Sequence, residues 1–492
     1  MFKQENVKEQ VRKAHQELVD KGYMQELSSL PQSTQDLIAS APFRHFYPWR
    51  AVYKDDSVTT PVRIVVDPTM TGLNEILAKG SNMLSQIPEL LIRFRCFTHT
   101  WNTDISKLYN QLHLNNSALP FSLFLFHESL DKAVDPSIWV MSRAWYGVSS
   151  AGNQAGVALE YLTEQRKDDL PLAHSVLTRS RYVDDVLSGG RSREEVEQQI
   201  VQTTECLRAG GFSMKYIARS GEPPPPKASI DGSHVGCLGL SWNTEEDTLA
   251  LGFNEEFFLK RFKGHQPPPD MNLSDPALLD EAMAKNLLTR AGVLSRVAEL
   301  YDPCRWWEPL KVQMKLALQH FNGMDWTAPV PPEHQQQWAK LFQLMNKARL
   351  ITIPRCVLPE SVDPDYRLRL LTVTDAATNS CGCAIYAGVE LADGTYSSTM
   401  VYAKSKMVHG TIPRNELEGA VLGAEASLTV QQAVGFVESA HYFTDSRIVV
   451  CWALNTSRRL CMWAFNLYSL VKTICTGNLW DSCLVSIQDR TE

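Results

Sequence analysis

No apolar run in this 492-residue chain reaches the roughly 18 residues that a membrane span requires, so the sequence predicts no membrane association. The N-terminus, Met1 to Val19, has a charged helical pattern and lacks the apolar centre of a secretion signal, which leads to an expected location in the cytosol or the nucleus. The 11 cysteines are odd in number and scattered singly apart from Cys381-Gly382-Cys383, which excludes a metal-ligand quartet and predicts reduced thiols. Positive charge is not in excess either. The net charge of -7 excludes a chain that is basic throughout, yet a nucleic-acid groove needs only a local surplus of cations. Candidates for such a surplus are Arg63, Lys79, Arg93, Arg95, Lys215, Arg219, Lys260, Arg261, Lys263, Lys311 and Lys315, each of which serves equally well as an ordinary surface charge.

What remains is a soluble globular composition, 44% hydrophobic and 21% charged, in a chain too long for one ordinary core. Residues 1 to 40 read as an amphipathic helix and a polar connection. Short strands follow: Ala51-Val52-Tyr53 and Val62 to Asp67 flank the turn-forming Lys54-Asp55-Asp56-Ser57. Breakers at Gly221 to Lys227 and at Pro267-Pro268-Pro269 punctuate the middle of the chain. Strands are predicted over Val235 to Trp242 and Thr248 to Phe253. A long helical region from about Asp275 to Leu350 carries Leu287, Leu288, Ala291, Val293, Leu294, Val297 and Leu300 at helical spacing, and Trp306, Trp307, Trp326 and Trp338 are read as packing residues. A β-β-β-α-β texture begins near residue 366.

Tyr182-Val183-Asp184-Asp185 stands out. Two adjacent carboxylates between Leu177 to Arg181 and Val186 to Gly190 predict a strand-turn-strand with acids at its tip, where an oxygen-seeking cation such as Mg2+ offsets their repulsion. An exposed Asp-Asp turn is the plain alternative. Upstream, Asp104 ends a strand-like run over Arg95 to Trp101 and its continuation, and opens the helical Lys107 to Leu112. Two-metal nucleotidyl transfer needs carboxylates from separate strands meeting at one point, with ions about 3.5 to 4 Å apart. One strand-end Asp and a hairpin pair meet that need.

The succession of Asp104 in T-D-I-S-K-L-Y-N-Q-L, W-Y-G-V-S-S-A-G-N-Q at Trp145 to Gln154, Y-V-D-D, and Gly210-Gly211-Phe212-Ser213-Met214-Lys215 resembles the palm of a reverse transcriptase. With Arg63 to Asp67, Leu73 to Gly80, Gly292 to Pro303 and Ile412 to Leu417, the chain more narrowly resembles the polyprotein of Pao/BEL-type LTR retrotransposons. The resemblance implies an α+β and α/β multidomain chain: an N-terminal helical extension (1–40), reverse transcriptase fingers and palm (41–232), a thumb-like hairpin and helical connection (233–365), and a ribonuclease H-like fold (366–492). It implies a two-metal Mg2+ site at Asp104, Asp184 and Asp185, with Arg63 and Lys54 holding the incoming triphosphate. Tyr109 would be the steric gate favouring dNTP, with a helix-buried tyrosine as its alternative. Gly147 would admit the template-nucleotide pair, Gln154 or Asn153 would contact nucleotide, and Lys215 would sit near the pyrophosphate as proton donor, or else be a surface lysine. RNA template, DNA primer, RNA-DNA hybrid and dNTP are the implied partners. One departure is Ser150-Ala151-Gly152-Asn153-Gln154, where relatives read Ser-Pro after the glycine segment.

In the last unit, Asp375 closes the run Leu368 to Thr374, Glu416 lies on the predicted helix Asn415 to Val434, and Asp445 ends His441 to Thr444. This layout resembles the ribonuclease H fold and implies a second Mg2+ site, with Glu418 on another side of the helix. A further family carboxylate is not recognisable before Glu492, and Asp489 does not take its place, so weak or absent RNA cleavage is expected. Two other readings compete with the polymerase: a decayed or co-opted retroelement protein that binds without catalysis, and a nuclease of RNA-DNA hybrids alone.

Overall fold

The structure is a computed structural model, and it describes residues 5–53, 62–130, 134–251, 288–298, 300–348, 350–359, 361–363 and 365–453. At the centre of the N-terminal half lies an antiparallel sheet in the order Arg181–Tyr182, Asp185–Gly190, His99–Asp104, Ala218–Arg219. Its strands are covered on both faces. Val186 packs with Trp101 under the helices Ala151–Gln165, Pro171–Arg179 and Arg193–Ala209, whereas its neighbour Leu187 enters the core on the other side, as the two-residue period of a strand dictates. Buried Gln199 ties helix to sheet: its amide oxygen accepts from Trp101 Nε1 and Ser188 Oγ, each at 3.0 Å, and its nitrogen donates to the Gly189 carbonyl at 2.9 Å. A buried side-chain amide is tolerable because its donors and acceptors are so engaged.

The hairpin Trp49–Tyr53 and Val62–Val66 projects from this half and shares a core with Phe124, Phe126, Met141 and Trp145 and with Val11 of the helix Glu5–Asp20. The sheet His234–Cys237, Leu240–Asn243, Thr248–Leu251 is closed by a strand from far along the chain, Thr352–Pro354. The continuous strand expected over Val235 to Trp242 is therefore two strands, broken at Leu238-Gly239, both with positive φ. Below this sheet lie the helices Arg290–Ala298, Glu308–Leu318 and Pro332–Ala348. Trp338 is fully buried, but Trp326 is not the packing residue expected: it is 54% exposed beneath the Arg290 guanidinium.

Two other expectations change. Leu177 to Arg179 ends the helix Pro171–Arg179, so the strand before the acids is only Arg181–Tyr182. Arg95 ends the helix Ile87–Arg95, and the strand starts at His99. That helix is apolar on more than one side because it serves two cores. Leu90, Leu91 and Phe94 enter the core beneath the His234–Leu251 sheet, while Ile92, and Cys96 just past the helix end, join the C-terminal one.

The C-terminal unit has the order Tyr396–Met407, Ser380–Glu390, Leu368–Ala376, Val437–Thr444. The first three strands are antiparallel; the last runs parallel to Leu368–Ala376, and the helix Ile412–Val434 crosses the sheet to make that connection. Its approach is close. A Cβ at Gly423 would collide with Thr374 Cγ2, and one at Gly419 would lie 3.3 Å from the Asp375 carbonyl oxygen.

The expected groove cations at the junction have other duties. Arg93 Nε donates to the Ala433 carbonyl at 2.5 Å, and Arg95 is buried, facing the carbonyls of Arg355, Met400 and Val401 at 3.3, 3.3 and 3.4 Å. Arg219 pairs with Glu197, and Lys311 and Lys315 pair with Asp302 and Glu308. Lys260, Arg261 and Lys263 lie outside the described residues. Described cysteines are unpaired, and among the described residues no helix is long and apolar enough to cross a membrane.

Candidate functional site

Asp104 and Asp185 are cross-strand partners in the central sheet, and Asp184 occupies the two-residue turn between Tyr182 and Asp185. Val183, the first residue of that turn, has φ of 55°, a conformation a β-branched residue avoids. The turn is held in place by its surroundings: Ile105 N donates to the Asp184 carbonyl at 2.7 Å, and Arg181 Nη1 donates to the Val183 carbonyl at 2.9 Å. Strain so maintained is a feature of functional sites.

All three carboxylates are half-buried. Burial first, then the charge of Asp184, lifts Asp104 to about 6; burial, then Asp184 and Asp104, lifts Asp185 to about 7. Burial raises Asp184 as well. Lys215 opposes these shifts at all three acids, and Arg63 does so at Asp104 and Asp184. Backbone bonding puts Lys215 there, since its N–H donates to the Asp104 carbonyl at 2.9 Å. Arg63 is exposed on the hairpin strand Val62–Val66.

Tyr109 is half-buried within reach of the Asp184 charge, and its ring meets Tyr146 edge-on, with centroids 4.9 Å apart at 81°. Burial followed by Asp184 pushes the Tyr146 phenol up to about 12. Gly147 has φ of 106°, and a Cβ there would collide with the Val66 carbonyl oxygen, so its bareness serves a contact between loop and hairpin. Gln154 is exposed and donates back to Ser150 Oγ at 3.2 Å within its own helix, turned to a local partner. Lys54 lies outside the described residues.

The second acidic set is tighter. Thr374 and Thr444 are register partners in parallel strands, so Asp375 and Asp445, one residue on, emerge side by side, and the first part of the helix Ile412–Val434 brings Glu416 over them. Among the described residues this is the one set of three acids that can each bring one carboxylate oxygen within 4.8 Å of the other two; Asp104, Asp184 and Asp185 are neighbours without converging so closely. Burial, then Asp375 and Asp445, raises Glu416 to about 7. An oxygen-only donor set of three acids suits a hard divalent cation. Glu418 is turned to Lys406 at 2.9 Å, in keeping with its other-side placement. Buried Asn415 fixes the helix start, donating to the carbonyls of Ala377 and Thr378 at 3.0 Å each and accepting from Gly410 N at 3.0 Å.

Four residues of these sites escaped sequence reading: Arg181, Tyr146, Asn415 and Asn74, whose amide holds the Gly147 loop. The signal for Asn415 lay in Arg414-Asn415-Glu416, a buried-type polar residue beside a candidate ligand.

Residues 289–446 match the family model of the Pao retrotransposon-like RNaseH-like domain. In fold the chain is similar to foamy viral protease-reverse transcriptase in complex with RNA/DNA hybrid, with a TM-score of 0.56 and 12% identity over 100% of this chain and 57% of that one. It is also similar to that protein with dsDNA, with a TM-score of 0.53 and 13% identity over 99% of this chain and 83% of the other. A third structure, the foamy viral protease-reverse transcriptase dRH with ds DNA, has a TM-score of 0.53 and 12% identity over 92% of this chain; the chain spans 65% of its length. No curated protein matches by sequence. Residues 289–446 thus carry an RNaseH-like domain of the class found in retroelements. Within that class, the matched segment is of the Pao retrotransposon type.

Proposed function

We propose that this chain is an RNA-directed DNA polymerase of retrotransposon origin whose C-terminal unit cleaves the RNA strand of an RNA-DNA hybrid. The observation that carries the polymerase reading is the register of Asp104 with Asp185, with Asp184 on a strained, externally braced turn between strands. In this reading the central sheet is the palm, the 49–66 hairpin belongs to the fingers, the 233–365 region is the thumb and connection, and the unit from 366 is ribonuclease H-like.

Asp104, Asp184 and Asp185 would hold two Mg2+ ions, which when bound neutralise charge on the reacting phosphate oxygens. The acids fit such ions, because burial raises all three and the charge of neighbouring acids further raises Asp104 and Asp185. Arg63, exposed and in electrostatic range of two of them, presents a planar fork to the triphosphate of a dNTP. Lys215, in the bend that precedes the strand Ala218–Arg219 and bonded through its N–H to the Asp104 carbonyl, would serve as proton donor to pyrophosphate. Tyr109, braced by Tyr146, sets its ring against the sugar and disfavours a 2'-hydroxyl. The similar foamy viral structures, in complex with RNA/DNA hybrid and with dsDNA, support template and primer as partners.

A second centre for cleavage is favoured by the convergence of Asp375, Glu416 and Asp445. These would hold divalent metal and orient a water at an RNA phosphate. The segment on which the expectation of weak cleavage rested, residues 454–492, lies outside the described residues. The test is primer extension on an RNA template with Mg2+ and dNTPs. Extension by the wild type and its loss in Asp184→Asn are expected, and equal incorporation by both would refute the reading.

A further inference from the structure

The loop from Tyr146 to Ser149 joins two parts of the nucleotide site, and a single side chain holds it. Asn74, half-buried on the helix Leu73–Ile76, donates from Nδ2 to the Gly147 carbonyl at 3.0 Å and to Thr69 Oγ1 at 3.2 Å, and its Oδ1 accepts from Ser149 N at 2.9 Å. Donor and acceptor of one amide thus bracket the loop as a neighbouring strand would. On one side, Gly147 lies so close to the Val66 carbonyl that no Cβ fits, and Val66 ends the strand that carries Arg63. On the other, Tyr146 meets the ring of Tyr109.

We infer that Asn74 is a positioning residue that fixes the spacing between the triphosphate-binding strand of Arg63 and the sugar-facing pair Tyr109 and Tyr146, and thereby sets nucleotide affinity and sugar discrimination. The inference rests on the polymerase reading. Asn74 is not proposed to touch the nucleotide. Without its amide, the Gly147 carbonyl and the Ser149 N–H lose their partners and the loop can shift, which changes where Tyr146 presses on Tyr109 while leaving Asp104, Asp184 and Asp185 in their own hydrogen-bonded sheet.

The test is single-nucleotide incorporation on a primed RNA template with full-length wild type, Asn74→Ala and Asn74→Asp, measuring kcat and KM for dATP and for ATP opposite the same template base. For Asn74→Ala, KM for dATP should rise about tenfold with kcat within about twofold, as expected for a group acting through another, and the preference for dATP over ATP should fall several-fold. Asn74→Asp keeps the acceptor for Ser149 N and loses both donors, so it should lie between the two, and being isosteric it decides the matter if the alanine variant does not fold. Unchanged KM and discrimination in a variant that folds, or a fall in kcat alone, would overturn the inference while the polymerase reading stands. A wild type that extends no primer would overturn both.

Discussion

The two acidic centres are built from the same residue types by opposite means. In the central sheet, Asp104, Asp184 and Asp185 are half-buried, come from a strand pair and its turn, and have Lys215 and Arg63 pulling against their shifts. In the C-terminal unit, Asp375 and Asp445 are exposed, and the charges that shift Glu416 are those of its two acidic neighbours, both upward. The first centre is desolvated and partly balanced by the protein's own cations. The second is convergent, solvent-facing and unbalanced at Glu416, so it depends more on an added cation. Desolvation suits a site that closes over a nucleotide; convergence suits one that receives a duplex from solvent.

If the centres are independent, the largest effect is a separation of functions. Asp184→Asn should lower extension by at least about a hundredfold with hybrid cleavage within about twofold of wild type, read on one end-labelled hybrid. Smaller is the effect of Asn415→Ala, which frees the helix start beneath Glu416: cleavage should fall about tenfold and extension should not change. Divalent dependence sharpens the contrast further. In a thermal melt, Mg2+ should raise the transition of the wild type and raise it less in Asp375→Asn, because two of three ligands remain.

The smallest effect concerns pH in the presence of chelator. Glu416 holds its proton to about 7 in the folded chain against 4.5 ordinarily, so between those values the folded state binds more protons than the unfolded and stability falls as pH rises. Glu416→Gln removes that loss and should raise the melting temperature at pH 7.5 by about 1–3 °C, with no gain at pH 4. Asp185, lifted from 3.8 to about 7, should behave likewise in Asp185→Asn. Added Mg2+ should abolish the advantage of both variants.

Much of this was legible from local pattern. Each acid sits at a strand end, a turn tip or the first turns of a helix, places where a carboxylate among apolar residues is conspicuous. The β-β-β-α-β order from 368 was readable for a related reason, since Leu368–Ala376 and most of Ser380–Glu390 alternate more and less buried residues. What failed was information carried by contacts distant in sequence. Arg93 and Arg95 look like groove cations until the C-terminal unit, more than 300 residues away, supplies the carbonyls they bond. Leu177 to Arg179 has a strand-like composition, yet Val176 and Leu177 pack as one helix face on the central core. Asn74 and Tyr146 act through partners 73 to 75 and 37 residues away, and nothing in their immediate neighbours announces it.

The central claim is that one chain carries two separate metal-dependent centres. Its most direct test is a single assay on an RNA-DNA hybrid labelled on both strands, with Asp184→Asn and Glu416→Gln beside the wild type in Mg2+. The account predicts that Asp184→Asn shortens the RNA without lengthening the DNA, and that Glu416→Gln does the reverse. Loss of both activities in both variants, or of neither, would contradict it.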